Sequence, residues 1–296
     1  MQYEVVIDGA PFTEGPVWVG DDILVITHLL PGCLRRIDVA KGSSETFAHV
    51  PGGANAAQPA SDGGFVVAQN SGIDFASIAE PLGIDPAMVP EVVRGTPGLQ
   101  RVDAEGSVTY LADEGFNAPN DLIVDSDGSI IFTDPPLIGH RLPSASDPKI
   151  GRLWRYHSER GLSLIADGFA FDNGVALSPE GRILIVESSG LMWIGPDGDK
   201  EWLCEKTPGG GGDGFCFDTA GRIYVAQPGS QTISVLDPDG SQVDCFETGG
   251  GIVTNVCFGG DDSRTLFTTE LAPGRVLAFE GLPDPGLPIH RWPVPE

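Results

Sequence analysis

Six polar residues recur along this chain in comparable settings. Glu14, Asn55, Asn120, Asn173, Asp213 and Asn255 each stand at the head of a short apolar run. A core position wants Val, Ile or Leu, and a buried carboxylate is costly unless it is paired or bound to a metal. If these six side chains converge, their carboxylate and amide oxygens suit a hard cation such as Ca²⁺. A cation with open positions can polarise a carbonyl and activate water. Any one of the six has a plainer explanation. Asn and Asp before Gly are common turn formers, and "NG" at 173–174 and "DG" at 213–214 fit that reading. Turn chemistry does not explain Glu14, and it does not require a shared register.

The register is visible when the stretches are aligned: "NAAQPASDGGFVVAQ" from Asn55, "NDLIVDSDGSIIFTD" from Asn120, "NGVALSPEGRILIVE" from Asn173 and "DGFCFDTAGRIYVAQ" from Asp213. In each, a turn glycine stands eight positions after the leading residue, at Gly63, Gly128, Gly181 and Gly221. "NVCFGGDDSRTLFTT" from Asn255 is a variant with Gly259–Gly260 in its turn, and "EGPVWVGDDILVIT" from Glu14 is a looser copy. The six positions are separated by 41, 65, 53, 40 and 42 residues. Between copies run further strand-like segments such as "CLRRID", "LQRVD", "LWRYH" and "TISVLDPDG". Four strands in roughly 40–45 residues is the period of a propeller blade. The spacing therefore predicts an all-β fold: one six-bladed β-propeller domain over residues 1–296, with four-stranded antiparallel blades around a central metal-binding channel. "YEVVID" at 3–8 is expected to pair near "RVLAFE" at 275–280 and seal the ring. Two intervals exceed the period, so residues 71–98 and 135–151 read as insertions, and loops this long are usually functional lids or mobile segments.

Composition narrows the partners. Hydrophobic residues make up 41% and charged residues 20%, which is globular rather than disordered. A formal charge of −25 argues against nucleic acid or an anionic membrane as a partner and is compatible with a bound cation. Cys33, Cys204, Cys216, Cys245 and Cys257 include no CxxC pair, and Cys216 and Cys257 read as small buried hydrophobes. The N-terminus shows no signal peptide and no segment is a membrane span, so a reducing, cytoplasmic location is expected. GxSxG does not occur, and "GGGGDG" at 209–214 lacks the Lys and helix of a phosphate loop.

"EGPVW", "PNDLIVDSDGSIIFTDPP", "DNGVALSPEGRILIVES", "GDGFCFD" and "TNVCFGG" closely resemble the gluconolactonase, regucalcin (senescence marker protein) and luciferin-regenerating enzyme family, in order along nearly the whole chain. The resemblance implies a six-bladed propeller with one divalent cation, and hydrolysis of a small-molecule lactone. It implies Glu14, Asn173 and Asp213 as ligands, with Asn120 as a fourth ligand or a substrate contact. Ca²⁺ is the first expectation, with Zn²⁺, Mn²⁺ and Mg²⁺ also compatible with such oxygens. Two departures stand out. "ITHLLPG" with His28 replaces a common Asp in blade one, and "GGANAAQ" replaces a basic residue with NG in blade two. Asn55, Asn120, Asn255, His28 and His140 are the candidates to contact substrate. Asp213 is the candidate base, or the group orienting water, and Asp121 is the second; Asp121 equally fits a carboxylate that holds its loop. Hydrolysis of organophosphates or other esters at the same cation, and a non-enzymatic calcium-binding propeller, remain as alternative readings.

Overall fold

The computed structural model describes residues 1–77, 79 and 84–293. Twenty-four strands run in chain order. They are β1 (Glu4–Ile7), β2 (Thr13–Gly20), β3 (Ile23–His28), β4 (Cys33–Asp38), β5 (Ser43–His49), β6 (Ala54–Pro59), β7 (Phe65–Gln69) and β8 (Gly98–Val102). There follow β9 (Val108–Ala112), β10 (Leu122–Val124), β11 (Ile130–Asp134), β12 (Gly151–His157), β13 (Gly161–Phe169), β14 (Asp172–Leu177), β15 (Ile183–Glu187) and β16 (Gly190–Ile194). The last eight are β17 (Lys200–Cys204), β18 (Phe215–Phe217), β19 (Ile223–Gln227), β20 (Thr232–Leu236), β21 (Gln242–Glu247), β22 (Val253–Gly259), β23 (Thr265–Glu270) and β24 (Val276–Phe279).

These form six four-stranded sheets, five of them simple meanders beginning at β2, β6, β10, β14 and β18. The sixth has the order β22–β23–β24–β1, and its outer strand comes from the chain start, with Glu4 opposite Ala278 and Val5 opposite Leu277. The expected closure is therefore present, and it removes the edge that the last blade would otherwise present. The sheets make a six-bladed β-propeller. Alternation along the strands explains why. Side chains of β7, β11, β15 and β19 are buried throughout, because each middle strand packs against a neighbouring blade on both faces. Outer strands such as β9 and β17 have one face in solvent and are partly polar. Apolar clusters fill the interfaces between blades, for example Val25, Leu34, Ala57 and Val67 between blades 1 and 2.

Antiparallel pairing gives the ring two different ends. Gln69 lies opposite Ala54, and Phe132 opposite Leu122, so the segments after β7 and β11 emerge where the inner strands begin. Both insertions therefore sit at that end. They are joined where the Asp74 N–H donates to the His140 carbonyl at 2.9 Å. Phe75 packs on Phe12 at 5.2 Å between ring centroids, within an apolar cluster that includes Leu29, Leu30, Ile73 and Leu271. Ile78 and residues 80–83 of the first insertion lie outside the described residues. Among the described residues no helix is long and apolar enough to cross a membrane.

Candidate functional site

The heads of the inner strands meet around the axis. The Asn70 amide donates to Asn55 Oδ1 at 2.7 Å, and the Asn55 amide donates to Asn120 Oδ1 at 3.2 Å. Across the closure, the Asn255 amide donates to Glu14 Oε2 at 3.1 Å. Asn173 donates to the Asp213 carboxylate. The second strands hold this geometry from behind: Thr27 Oγ1 donates to the Asn55 carbonyl and Thr133 Oγ1 to the Asn173 carbonyl, each at 2.7 Å. All six positions recognised from the repeat thus reach one place.

The glycines following them have a reason that turn chemistry does not supply. Gly174 and Gly214 are not in the left-handed region. A Cβ on Gly214 would overlap the Asn255 side-chain amide, and one on Gly174 would stand 3.0 Å from the Gly214 Cα. A Cβ on Gly15 would meet the Asn55 carbonyl oxygen at 2.8 Å. Each glycine lets the next blade bring its polar residue close to the axis.

Three carboxylates face one another here. Glu14 and Asp121 are buried, while Asp213 is partly exposed. Burial, and then repulsion from Asp213 and Asp121, push the Glu14 carboxyl well above its ordinary range. Burial and the neighbouring Asp121 push Asp213 up to about 8, against the Asn173 hydrogen bond. Burial pushes Asp121 up to about 7, although Leu122 N–H donates to its Oδ1 at 2.9 Å and Val175 N–H to its Oδ2 at 3.1 Å. Among the described residues, none of the ten ion pairs brings Lys, Arg or His to these three acids. Uncompensated acids of this kind fit a cation, since like charges in one buried place cannot all ionise without a counter-charge. Among the described residues, no group of three or more His, Cys, Asp and Glu side chains is arranged to hold a metal. An ion here has to take amide oxygens together with carboxylates.

Among the described residues, no hydrogen bond or ion pair joins either histidine to these acids. His28 is buried, with Nε2 hydrogen-bonded to the Pro11 carbonyl and Nδ1 3.8 Å from Cys33 Sγ. Its pKa is lowered by burial and by Arg35. His140 lies in the second insertion with φ 62°, and its Nδ1 is buried without a partner.

A second set of polar residues escaped the sequence reading. Gln69, Asp134, Glu187, Gln227 and Glu270 end the second strands of blades 2 to 6, and all are buried. Asp134 accepts from the Asn117 and Ala118 N–H groups, both at 2.7 Å, just before Asn120. Glu187 accepts from the Ala170 and Phe171 N–H groups at 2.9 and 3.2 Å, just before Asn173. The signal was present as the Gln, Asp or Glu closing "FVVAQ", "IIFTD", "LIVE" and "IYVAQ". Cys216 and Cys257 depart from the buried-hydrophobe reading: both are partly exposed and line a cavity, and all five cysteines are free thiols.

Residues 12–272 match the model of the SMP-30/Gluconolactonase/LRE-like region. The chain is 29% identical to the 6-deoxy-6-sulfogluconolactonase of Pseudomonas putida over 277 residues, covering 88% of this chain and 84% of the relative. It is 27% identical to the gluconolactonase of Zymomonas mobilis over 291 residues, covering 89% and 77% respectively. The calcium-binding protein regucalcin of Agrobacterium tumefaciens has the same fold, with a TM-score of 0.77, 19% identity and coverage of 98% of this chain and 97% of that one. The ring of strand heads, its close-approach glycines and the match over residues 12–272 identify this chain as a member of the SMP-30/gluconolactonase/LRE-like family.

Proposed function

We propose that this protein is a lactonase that opens a sugar lactone or related cyclic ester with the help of one divalent cation. The observation that carries the reading is the meeting of Glu14, Asp121 and Asp213 in the channel of a gluconolactonase-family propeller, with no basic side chain ion-paired to them among the described residues. Oxygens of Glu14, Asn120, Asn173 and Asp213 would hold the ion, and an all-oxygen set of amides and carboxylates favours Ca²⁺ first. When bound, such an ion supplies Lewis-acid polarisation of the ester carbonyl and charge to stabilise the developing oxyanion.

The chain's own groups divide the remaining work. Asp213 accepts a proton from the attacking water and returns it to the ring oxygen as the C–O bond breaks, giving a hydroxy acid. It suits that task because its hydrogen bond from Asn173 leaves acceptor capacity on a partly exposed carboxylate. Asp121 has backbone N–H groups on both oxygens, and so it serves to lock blade 3 to blade 4 beside the site. Asn55 and Asn255 orient Asn120 and Glu14. The insertions lie at the same end of the ring and shape the mouth that admits the lactone.

A pH-indicator assay over sugar and aliphatic lactones tests the proposal. Wild type and Asp213→Ala are each chelated and then re-supplied with Ca²⁺, Mg²⁺, Mn²⁺ or Zn²⁺. Turnover that returns with a metal only in the wild type supports the reading. Absence of turnover on every lactone, with metal binding retained, sinks it.

A further inference from the structure

Blade 1 differs from its neighbours in the group that braces its strand head. His28 stands fourteen residues after Glu14, just as Gln69, Asp134, Glu187 and Gln227 stand fourteen after Asn55, Asn120, Asn173 and Asp213. Glu270 stands fifteen after Asn255. Strand pairing agrees: His28 lies opposite Thr13, as Gln69 lies opposite Ala54 and Glu187 opposite Asp172. His28 therefore completes the set of polar residues that end the second strands.

In blades 3 and 4 this residue is an acid, and it accepts from the N–H groups three and two positions before the head. These are Asn117 and Ala118 before Asn120, and Ala170 and Phe171 before Asn173. The matching pair before Glu14 is Pro11 and Phe12. Proline has no N–H, and the Phe12 N–H already donates to the Leu271 carbonyl at 2.8 Å. An acid at position 28 would find no donor in either. The approach offers the Pro11 carbonyl instead, and His28 Nε2 is hydrogen-bonded to it. A carbonyl oxygen only accepts, so Nε2 carries the hydrogen. Nδ1 is then the acceptor of a neutral ring, and it faces the Cys33 thiol, with Sγ 3.8 Å away. Burial pushes that thiol up, which keeps it protonated and able to donate.

The bond matters because the backbone it holds is bent. Phe12 is buried with φ 64°, a left-handed conformation uncommon for an aromatic residue. Such a conformation persists only where its surroundings fix it. Phe12 donates to the Leu271 carbonyl and accepts from the Leu29 N–H, each at 2.8 Å, and His28 holds the residue before it. The bend turns the chain into Thr13 and Glu14, whose carboxylate then meets the Gly15 N–H and the Asn255 amide. We infer that His28 is a positioning residue: its neutral Nε2–H holds the Pro11 carbonyl and thereby aims Glu14, doing with a donor what Asp134 and Glu187 do with acceptors. This role rests on the lactonase reading, in which Glu14 holds a cation.

The test compares His28→Gln, whose amide can donate from about the place of Nε2, with His28→Met, of similar length and without a donor. Glutamine suits the position, since in blade 2 Gln69 Nε2 donates to the Thr96 carbonyl at 2.6 Å. In the metal-free full chain at about pH 8, above the ordinary histidine range, long-range ¹H–¹⁵N correlation should show His28 as the Nε2–H tautomer. The Gly15 N–H and Asn255 side-chain amide resonances report Glu14; they should move in His28→Met and hold in His28→Gln. With Ca²⁺ present, metal affinity and kcat should fall about tenfold in His28→Met and stay within about twofold of wild type in His28→Gln, the usual scale for a group that orients a ligand. An Nδ1–H tautomer overturns the inference. So does His28→Met matching wild type in these resonances, or His28→Gln displacing them as far as His28→Met does. Should His28→Met fail to fold by circular dichroism, the tautomer and the His28→Gln resonances decide, and displaced signals in that variant overturn the inference. If the wild type neither binds a cation nor opens a lactone, the lactonase reading fails, while the metal-free spectra still show whether His28 aims Glu14.

Discussion

Gly214→Ala isolates the argument that glycine stands behind the strand heads to admit the neighbouring blade. Gly214 has an ordinary φ, so alanine meets no backbone objection there. Its Cβ would overlap the Asn255 amide, which must retreat by more than about 1 Å to reach the roughly 3.5 Å of a normal contact. That retreat breaks the hydrogen bond from the Asn255 amide to Glu14 Oε2 at 3.1 Å and the one from Val256 N–H to Asn255 Oδ1 at 2.8 Å. A bond to a charged group is worth about 1.5–3 kcal/mol and a neutral one about 1 kcal/mol, so the fold should lose roughly 3 kcal/mol. Glu14 loses the partner that orients it, and a misplacement of about 1 Å at a catalytic group costs on the order of 100-fold in rate. Urea denaturation reads the first quantity and kcat/KM on the preferred lactone the second. Gly181→Ala is the control: φ is 76°, nothing lies within 4 Å of where its new methyl would stand, and it sits in a turn remote from the ring. It should cost about 1 kcal/mol through backbone conformation alone, with unchanged kcat/KM. If Gly214→Ala matches Gly181→Ala in both measurements, close approach is not why the glycine is there.

Asp134→Asn keeps the shape but turns an amide towards Arg152 and the Trp154 indole N–H, which the carboxylate accepts at 2.8 and 3.1 Å. It should cost about 3 kcal/mol, a fall of roughly 6 °C in Tm by calorimetry, and should slow turnover by loosening the Asn117–Asn120 approach. Ca²⁺ at about 100 times its Kd should stabilise the chelated protein by about 2.7 kcal/mol, and Asp213→Asn should remove most of that gain. A melting temperature indifferent to Ca²⁺, Mg²⁺, Mn²⁺ and Zn²⁺ would count against a resident cation. His28 supplies a pH dependence of stability. Burial, then Arg35, lower its folded pKa below the ordinary value of about 6.5, so the unfolded chain binds the proton more readily. Its contribution is present above about pH 6.5 and is lost as pH falls through that value towards the folded pKa; melts of His28→Gln between pH 5 and 8 should show a shallower decline on the acid side.

Much of this architecture was legible because a propeller repeats its instructions. The turn glycine eight residues after each head fixed the hairpin register at Asn55, Asn120, Asn173 and Asp213, and the register in turn brought those heads to one axis. The strand at 3–8 was readable as the closing strand because an unpaired edge at the last blade needs a partner. What the sequence left open depends on which way groups face. "NG" and "DG" look identical whether glycine serves a turn or a close approach, and only the neighbouring blade, 40 or so residues away, decides between them. The insertions gave no sign of their end of the ring until the strand pairing placed Gln69 opposite Ala54. The cavity that Cys216 and Cys257 line was invisible for the same reason. Both sit in apolar runs that any buried strand could contain, and the same cavity is also lined by residues 287–290, remote in sequence from both.

The paired polar positions explain how a site assembled from separate blades can be exact enough for chemistry. Antiparallel pairing puts the end of each second strand beside the head of its own inner strand. A buried acceptor there can hold the backbone that leads into the head. Asp134 does this for the approach to Asn120, and Glu187 does it for the approach to Asn173. Thr27 and Thr133 extend the same bracing to the next blade by donating to the carbonyls of Asn55 and Asn173. Asn173 is thus fixed by groups in its own blade and the one before it, and at the closure of the ring the Asn255 amide meets Glu14. Rigidity at the axis follows from closure. A substitution that loosens β1 from β24 should therefore weaken the alignment of Glu14 with Asn255 before it disturbs Asn120 and Asn173, which lie on the opposite side of the ring.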